Sequence, residues 1–493
     1  MQKNAKKKLK RLPRRAKILD NKRNFTVPEE ELEKQKEYAK LVSVVLSSRF
    51  PQSAPKAFVH TYGCQGNVSD GEKIKGILCS LGYELTDSVE EADLVLYNTC
   101  AIREHAQDRV FGNVGALKKY KTAKPDMIIA LCGCMMQQEY VAERIKNSFR
   151  YVDLVFGTHV LHKLPEFIHR CLCSGKRVFD LSGGDGNIVE GLPLHRDGAF
   201  KAWIPIMYGC NNFCSYCVVP YVRGRERSRN FETVVEEARQ LAAAGYKEIT
   251  LLGQNVNSYN KDLSEEYRFP ALLRAINDID GDFIIRFMTS HPRDCTKELL
   301  ETMAQCKKVA KHLHLPVQSG NDRVLKEMNR HYNREKYLSL IKYAYELMPD
   351  LSITSDIIVG FPGETYEEFC DTLSLLREVN YTSLFTFIFS PRPGTKAASM
   401  PDEVPKKEKS RWFSELTTLQ EEIASKRTAA MKGKQYRVLV EERNENTGLL
   451  SARTEGNVII EFDGKDGLIG SFVTVEVTEP KTWILKGKLV SQG

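Results

Sequence analysis

Two stretches of this 493-residue chain alternate strand-like apolar runs with helical patterns, and that alternation leaves few folds open to it. The first covers residues 57–174. AFVHTYGC (57–64) reads as a strand, NVSDGEKIKGILCSLGY as a helix ending near Gly82, and ADLVLYNTC (92–100) as the next strand. A helix to about residue 120 follows. MIIALCGC (127–134) and YVDLVFGT (151–158) are then strands with a helix between them. Repeated βα units of this kind imply a parallel sheet with helices on its faces. A second series has strand candidates beginning near residues 202, 248, 283, 312, 352 and 381, separated by helical patterns such as FETVVEEARQLAAAG and TYEEFCDTLSLLREV. Six units predict a partial (β/α)6 barrel, short of the eight of a closed one.

The segments around these two series complete the expected layout. Residues 1–55 are read as a flexible basic extension, 56–174 as the first α/β domain, and the Gly-rich 175–200 as a linker. Residues 201–431 are then the barrel, closed by a helix over 406–433. From 432 to 493 the pattern becomes QYRVLVEE, GNVIIEF, GSFVTVEV and WILKGKLV, short strands with Gly turns, which predict a small β-barrel of a size that often binds RNA. Its charges cancel, nine basic against nine acidic, so RNA contact there would need a local patch or stacking. The basic excess lies elsewhere: residues 1–23 hold eleven Lys and Arg against one acid, Asp20. Such a tail either binds nucleic acid or acts as a solubilising arm. It is Lys-rich and Ser-poor, unlike a mitochondrial transit peptide, and has no apolar core of a secretory signal. The longest apolar runs, such as LVSVVL (41–46), are too short to span a bilayer.

Thirteen cysteines, an odd number, argue for a reducing compartment and for metal-binding or unremarkable thiols. Three of them have an ordered placement. Cys64 ends the first strand, Cys100 the second and Cys134 the third. Parallel sheets bind ligands outside the carboxyl ends of their strands, so three thiols about 35 residues apart in sequence converge on one edge. Cys132 lies inside the apolar strand run and is read as core. In the second series, MYGCNNFCSYC (207–217) places Cys210, Cys214 and Cys217 in the loop after the first strand, at the chemical end of a barrel. No fourth Cys or His follows nearby. Structural zinc takes four protein ligands. A catalytic zinc site of three thiolates would be unusual. An iron–sulfur cube held by three Cys leaves one iron open to a substrate or cofactor.

Cys-x3-Cys-x2-Cys with Tyr216 before the last Cys resembles the radical S-adenosylmethionine enzymes. GCNNFCSYCVVPYVRGRERSR, LLGQNVNSY (251–259), HLPVQSGND (314–322), DIIVGFPGET (356–365) and SPRPGTKA (390–397) resemble the methylthiotransferases within that group. The resemblance covers about residues 56–493, in the family's order: an α/β domain, a radical S-adenosylmethionine barrel and a TRAM-like barrel. It implies a radical 4Fe–4S cluster on Cys210, Cys214 and Cys217, with S-adenosylmethionine bound there. It also implies an auxiliary 4Fe–4S cluster on Cys64 (TYGCQGN), Cys100 (NTCAIRE) and Cys134 (GCMMQ), the same three thiols that the sheet edge selects. Gly66-Asn67 departs from the more usual Met-Asn and touches no ligand. CVVPYVRGRERSR and LLGQNVNSY look most like the branch that adds a methylthio group to carbon 2 of isopentenylated adenosine beside the anticodon of tRNA. That chemistry uses two S-adenosylmethionines. One methylates sulfur at the auxiliary cluster, and the other gives the 5′-deoxyadenosyl radical that removes hydrogen from carbon 2. Alternative readings are threonylcarbamoyl adenosine in tRNA, a ribosomal-protein aspartate, or a non-enzymatic iron or zinc RNA-binding protein. Expected partners are the tRNA anticodon stem-loop, an electron donor and a sulfur or iron–sulfur donor, for a cytoplasmic, membrane-free and monomeric chain.

Other residues carry two readings each. Arg223, Arg225, Arg227 and Arg229 could grip phosphate or a cofactor carboxylate, or pair with barrel acids. Gln254, Asn255 and Asn257, with Gln318 and Ser319, end barrel strands and suit either cofactor or base contacts or loop caps. Asp356 reads as a buried, paired acid. Cys171 and Cys173 could relay sulfur or bind metal, or simply pack. Cys79, Cys295, Cys306 and Cys370 read as packing residues, and His105 as a helix residue.

Overall fold

The computed structural model describes residues 26–101, 104–182 and 186–492, so the basic stretch 1–23 lies outside the described residues. The first domain is a six-stranded parallel sheet in the order β2-β1-β3-β4-β5-β6. Its preceding helix is α1 (Glu29–Arg49), and the sheet unit runs β1 (Lys56–Thr61), α2 (Gln65–Ser80), β2 (Glu84–Leu85), β3 (Leu94–Thr99), α3 (Glu104–Ala123), β4 (Ile128–Gly133), α4 (Glu139–Ser148), β5 (Leu154–Phe156), α5 (Leu164–Ser174) and β6 (Val178–Asp180). Every residue of β3 and β4 is buried. This is why their sequences read as unbroken apolar runs: helices cover both faces of a parallel sheet.

Two boundaries differ from the sequence reading. Residues 29–49, assigned to a flexible extension, form α1 and dock on α5. Val42 and Leu46, one helical turn apart, are buried in the sheet domain's core, and Gln35 bonds Glu166 at the start of α5. Within the apolar run LVSVVL, Val42 and Leu46 are the docking stripe, while Leu41 and Val44 are exposed. The segment 175–200 is not all linker, because Val178 and Phe179 pair with Leu154 and Val155 and add β6 to the sheet edge. The stretch that follows lies along α2, where Gly76 allows close approach: an added Cβ would stand 2.4 Å from the Pro193 carbonyl oxygen.

The second domain begins with β7 (Lys201–Pro205), β8 (Met207–Tyr208), α6 (Val219–Val222) and β9 (Arg227–Ser228). It continues through α7 (Phe231–Ala243), β10 (Glu248–Leu252), α8 (Phe269–Asn277), β11 (Ile284–Phe287), α9 (Lys297–Gln305), β12 (His312–His314), α10 (Asp322–Glu327), α11 (Arg334–Leu347), β13 (Ser352–Val359), α12 (Tyr366–Val379), β14 (Ser383–Ile388) and α13 (Lys406–Ala429). The six expected strands are all present, as β7, β10, β11, β12, β13 and β14. They form two parallel three-stranded sheets, β11-β10-β7 and β12-β13-β14. Ile285 joins the halves: its N–H donates to the Lys308 carbonyl (2.7 Å) and its carbonyl accepts from the Ala310 N–H (2.9 Å). Among the described residues no strand pairs β14 back to β7, so the barrel stays open along β14. α13 packs behind it through Trp412, which stacks on Phe369 with centroids 5.4 Å apart.

The last domain is a closed barrel, β15 (Gln435–Arg443), β16 (Leu450–Thr454), β17 (Ile459–Phe462), β18 (Phe472–Pro480) and β19 (Ile484–Gln492). The four expected strands are there. The fifth, β16, has only Leu450 and the small Ala452 to mark its inward face, a signal too weak to read from sequence. This domain plugs the amino-terminal end of the larger barrel. Arg286, buried beside Glu248, donates to the carbonyls of Thr454 and Glu455 (2.8 Å each), and Ile284 and Ala310 pack on Leu439 and Phe472.

Candidate active site between the sheet domain and the barrel

Cys64, Cys100 and Cys134 each stand just past a strand of the sheet: β1, β3 and β4 respectively. Gly63 makes their approach possible. Its φ is +111°, and a Cβ there would lie 2.3 Å from the Cys100 Cβ and 2.7 Å from its Sγ. Gly133, at φ +96°, turns the chain after β4 within 2.3 Å of the Thr99 carbonyl oxygen, measured to the Cβ it lacks. Asn67, buried in the first turn of α2, ties the group together. Its Oδ1 lies 3.6 Å from the Cys64 Sγ and 3.8 Å from the Cys134 Sγ, while its Nδ2 donates to the Thr99 carbonyl (2.8 Å). The Cys100 thiol, aided by Arg223 and by the amides of Asn67 and Gly66 and opposed by burial, brings the Cys64 thiol down to about 5. Burial pushes Cys134 up.

The second trio sits in the loop between β8 and β9, which pair antiparallel and clasp its base. Gly209 (φ +76°) lets the loop cross tightly, since a Cβ there would be 2.0 Å from the Arg225 carbonyl oxygen. Phe213 takes a left-handed φ of +48°, and Asn329 holds it there by donating Nδ2–H to the carbonyls of Asn212 (3.2 Å) and Phe213 (2.9 Å). The Ser215 N–H donates to the Met328 carbonyl, and the Ser215 carbonyl accepts from the Ala397 N–H. One quoted motif segment, SPRPGTKA, and the residues just after α10 thus brace the cysteine loop. Arg330, buried, reaches the Cys214 Sγ at 3.4 Å. Burial raises the Cys210 thiol and pushes Cys217 up to about 12. A metal that takes such thiols holds them as thiolates in spite of their burial.

The surroundings suit a polar ligand. Asn212 Oδ1, Ser215 Oγ, Asn255 Oδ1, both amide atoms of Asn257, Ser290 Oγ and His291 Nε2 are buried without a hydrogen-bond partner. They lie in the cysteine loop and just past β10 and β11. Folded proteins rarely leave such atoms unpaired. No three of the described His, Cys, Asp and Glu side chains close around a point at single-ion distance. A cube with one thiolate per iron holds its thiolates farther apart than one ion does.

The segment that follows the second trio meets the first across the domain boundary. Ala101 and Cys134 pack on Val218 and Val222, directly after Cys217, and Arg223 donates Nε–H to the Cys134 Sγ (2.9 Å). This was outside the sequence reading, which offered Arg223 phosphate, a cofactor carboxylate or barrel acids. Its acid, Asp70 (2.7 Å), belongs to the sheet domain. Arg229 does pair with acids, Glu190 and Glu237, while Arg227 donates to the Arg223 and Arg225 carbonyls and Arg225 lies over the Phe213 ring. Gln254 accepts from the Gly209 N–H (2.5 Å) and so supports the loop, and Asn255 donates to Asp294 (2.6 Å). Gln318 has a left-handed φ (+75°) and bridges to β13, and buried Ser319 Oγ accepts from the Asn321 N–H. Asp356 pairs with His314 (3.5 Å). Cys132, Cys295 and Cys306 are core residues, Cys171 packs against the sheet core, Cys370 is half-buried, and Cys79 and Cys173 are exposed. His105 is on α3, with its side chain outside the described residues. Asn67 enters the sequence reading only within a Gly66-Asn67 departure that touches no ligand, which its contacts with the Cys64 and Cys134 sulfurs correct; Asn329 and Arg330, seven and eight residues past HLPVQSGND, went unread.

Three family models match the chain: the Radical SAM superfamily over residues 204–376, the Uncharacterized protein family UPF0004 over 56–157, and the TRAM domain over 429–490. The tRNA-2-methylthio-N(6)-dimethylallyladenosine synthase of Thermoanaerobacter sp. (strain X514) is 47% identical over 472 residues, 95% of this chain and 98% of the relative. The protein of the same name from Caldicellulosiruptor saccharolyticus is 49% identical over 430 residues, 87% and 91% of the two chains. Among solved structures, the radical S-adenosylmethionine methyltransferase TsrM from Kitasatospora setae, with cobalamin and a 4Fe–4S cluster bound, superposes with a TM-score of 0.53 at 15% identity, over 70% of this chain and 77% of that one, a likeness of fold. Matched along nearly its whole length by such relatives, the chain belongs to the methylthiotransferase family of radical S-adenosylmethionine enzymes.

Proposed function

We propose that this protein adds a methylthio group to carbon 2 of N(6)-isopentenyladenosine beside the anticodon of tRNA. The observation that carries the reading is that the segment following one cysteine trio packs on a cysteine of the other across one domain boundary, with Arg223 in contact with Cys134. In this reading Cys210, Cys214 and Cys217 hold the radical cluster and its S-adenosylmethionine, and Cys64, Cys100 and Cys134 hold an auxiliary 4Fe–4S cluster. When bound, these groups supply a hydrogen-abstracting radical and the methylthio group, at a cost of two S-adenosylmethionines. The unpartnered atoms of Asn257, Ser290 and His291 offer hydrogen bonds to the polar parts of that cofactor. Gly63 and Gly209 bring backbone and thiols close enough for each trio to act as one donor set.

The same reading gives the tRNA base a path. The sheet domain covers one end of the barrel and the C-terminal barrel plugs the other, so the open flank along β14 is the entrance. Phe385 and Phe387 pair in register with Asp356 and Ile358 and share their face of the sheet. They are 49% and 45% exposed, high for phenyl rings on an inward face. A loop base can be unstacked and laid on such aromatic groups. An apolar wall also favours the isopentenyl chain over the carboxylate of threonylcarbamoyl adenosine. Trp483, exposed in the β18–β19 turn beside Lys481, gives the near-neutral C-terminal barrel a stacking group for the tRNA. An electron donor and a sulfur donor complete the partner set of a monomer working in the cytoplasm.

The test is anaerobic. The protein is reconstituted with iron and sulfide, then given dithionite, S-adenosylmethionine and isopentenylated tRNA, and the digested nucleosides are read by mass spectrometry. A methylthio adduct of isopentenyladenosine is the expected product. Free 5′-deoxyadenosine with no adduct would refute the substrate. Neither product, from protein carrying about eight irons per chain, would refute the reaction.

A further inference from the structure

We infer that Arg223 is a positioning residue of the N-terminal cysteine site, delivered by the barrel: with Asp70 it sets the reduction potential of the cluster held there. The inference rests on the proposed role of Cys64, Cys100 and Cys134 as that cluster's ligands. Arg223 lies six residues after Cys217, past α6, and is almost wholly buried. A buried guanidinium needs partners, and Arg223 finds three, all in the other domain. Nε donates to the Cys134 Sγ (2.9 Å), Nη2 donates to the Asn67 Oδ1 (3.1 Å), and Nη2 pairs with the Asp70 Oδ2 (2.7 Å). Asn67 Oδ1 is in turn the atom near both the Cys64 and Cys134 sulfurs. The planar guanidinium fork spans these partners at once, which a lysine ammonium would not reproduce.

An N–H donor to sulfur is not a ligand. It acts from outside the donor set, by favouring negative charge on the thiolate. Hydrogen bonds to the sulfurs and net local charge are among the factors that set iron–sulfur potentials. Reduction adds one negative charge to the cluster, so the Arg223 cation stabilises the reduced form and raises the potential. The Asp70 carboxylate opposes this. The loop carrying one cysteine trio thereby biases the electronic state of the other. A strap between domains would use the same ion pair, but the two roles differ in sign. Loss of either partner weakens a strap alike, whereas the two losses move a potential in opposite directions.

The experiment uses the full chain with Cys210, Cys214 and Cys217 all changed to Ala, so that only the N-terminal site can hold iron. Arg223→Met, Arg223→Lys and Asp70→Asn are added singly, and midpoint potentials are measured by anaerobic redox titration with electron paramagnetic resonance detection. The expected result is a more negative potential for Arg223→Met, a smaller shift of the same sign for Arg223→Lys, and a more positive potential for Asp70→Asn. Should Arg223→Met not fold, the other two variants still decide the sign. Unchanged potentials, or shifts of one sign in all variants, would overturn the inference and leave Arg223 a strap. A parent lacking iron, where about four per chain are expected, would instead overturn the ligand assignment beneath it.

Discussion

The two cysteine trios are built by opposite means. Cys210, Cys214 and Cys217 lie within eight residues of one loop, and their spacing is local chain geometry. Cys64, Cys100 and Cys134 come from three separate strand ends, and nothing but the parallel order of β1, β3 and β4 brings them together. The electrostatic settings differ as well. The Cys64 thiol is drawn down by its neighbours, whereas burial raises Cys210 and Cys217. A contiguous motif can be carried on a loop that other segments brace. A dispersed one needs the whole sheet to be correct first.

The largest effect expected is a division of labour. Cys210→Ala should abolish reductive cleavage of S-adenosylmethionine, while Cys64→Ala should leave 5′-deoxyadenosine formation measurable and stop methylthio insertion. Equal loss of cleavage in both folded variants would erase the contrast between the trios. Next come the glycines. Gly63→Ala forces a Cβ onto Cys100 and should cut iron from about eight to about four per chain with S-adenosylmethionine cleavage retained. Gly209→Ala should cost the other four and the cleavage activity. Iron and product analysis of the two variants would sharpen the comparison.

A smaller difference should separate the thiols without metal. In apo protein at pH 7, Cys64, with its thiol near 5, is a thiolate, and Cys217, near 12, is not. Mass-spectrometric mapping of iodoacetamide labelling should find Cys64 modified well before Cys217. The reverse order would remove the electrostatic contrast. The smallest effect concerns the open flank. Replacing Phe385 and Phe387 with Ala should raise KM for isopentenylated tRNA roughly ten- to hundredfold, from about 1–3 kcal/mol of lost stacking per base, and leave cleavage without tRNA unchanged. An unaltered KM would place the base elsewhere.

Much of this was legible. The six barrel strands announced themselves by apolar runs at regular spacing, and the loop trio by its motif. The sheet trio was legible one step further on, because each Cys closes a strand and parallel strands end on one side. α1 was not, since its Val42 and Leu46 are a short stripe in a charged, glutamate-rich helix whose partner, α5, lies more than a hundred residues away. β16 was missed because Leu450 and Ala452 give almost no alternation signal. Arg223 was noticed as one of four alternating arginines, but nothing in that alternation distinguishes the one that crosses to Cys134 from the one that pairs with Glu190 and Glu237.

By itself the sequence determined which residues could serve as thiolate donors, which strands could form, and where glycine had to stand for the chain to turn. These follow from local properties: side-chain chemistry, apolar periodicity and backbone freedom. Tertiary structure alone decided that the segment after one trio packs on the other, that the C-terminal barrel plugs the far end, that β14 is left as an open edge with two exposed phenyl rings, and that Arg223 places its charge in another domain. Each of these is a contact between groups far apart along the chain. Such contacts are set by how buried surfaces pack and how buried charges find partners, and neither leaves a mark in local sequence.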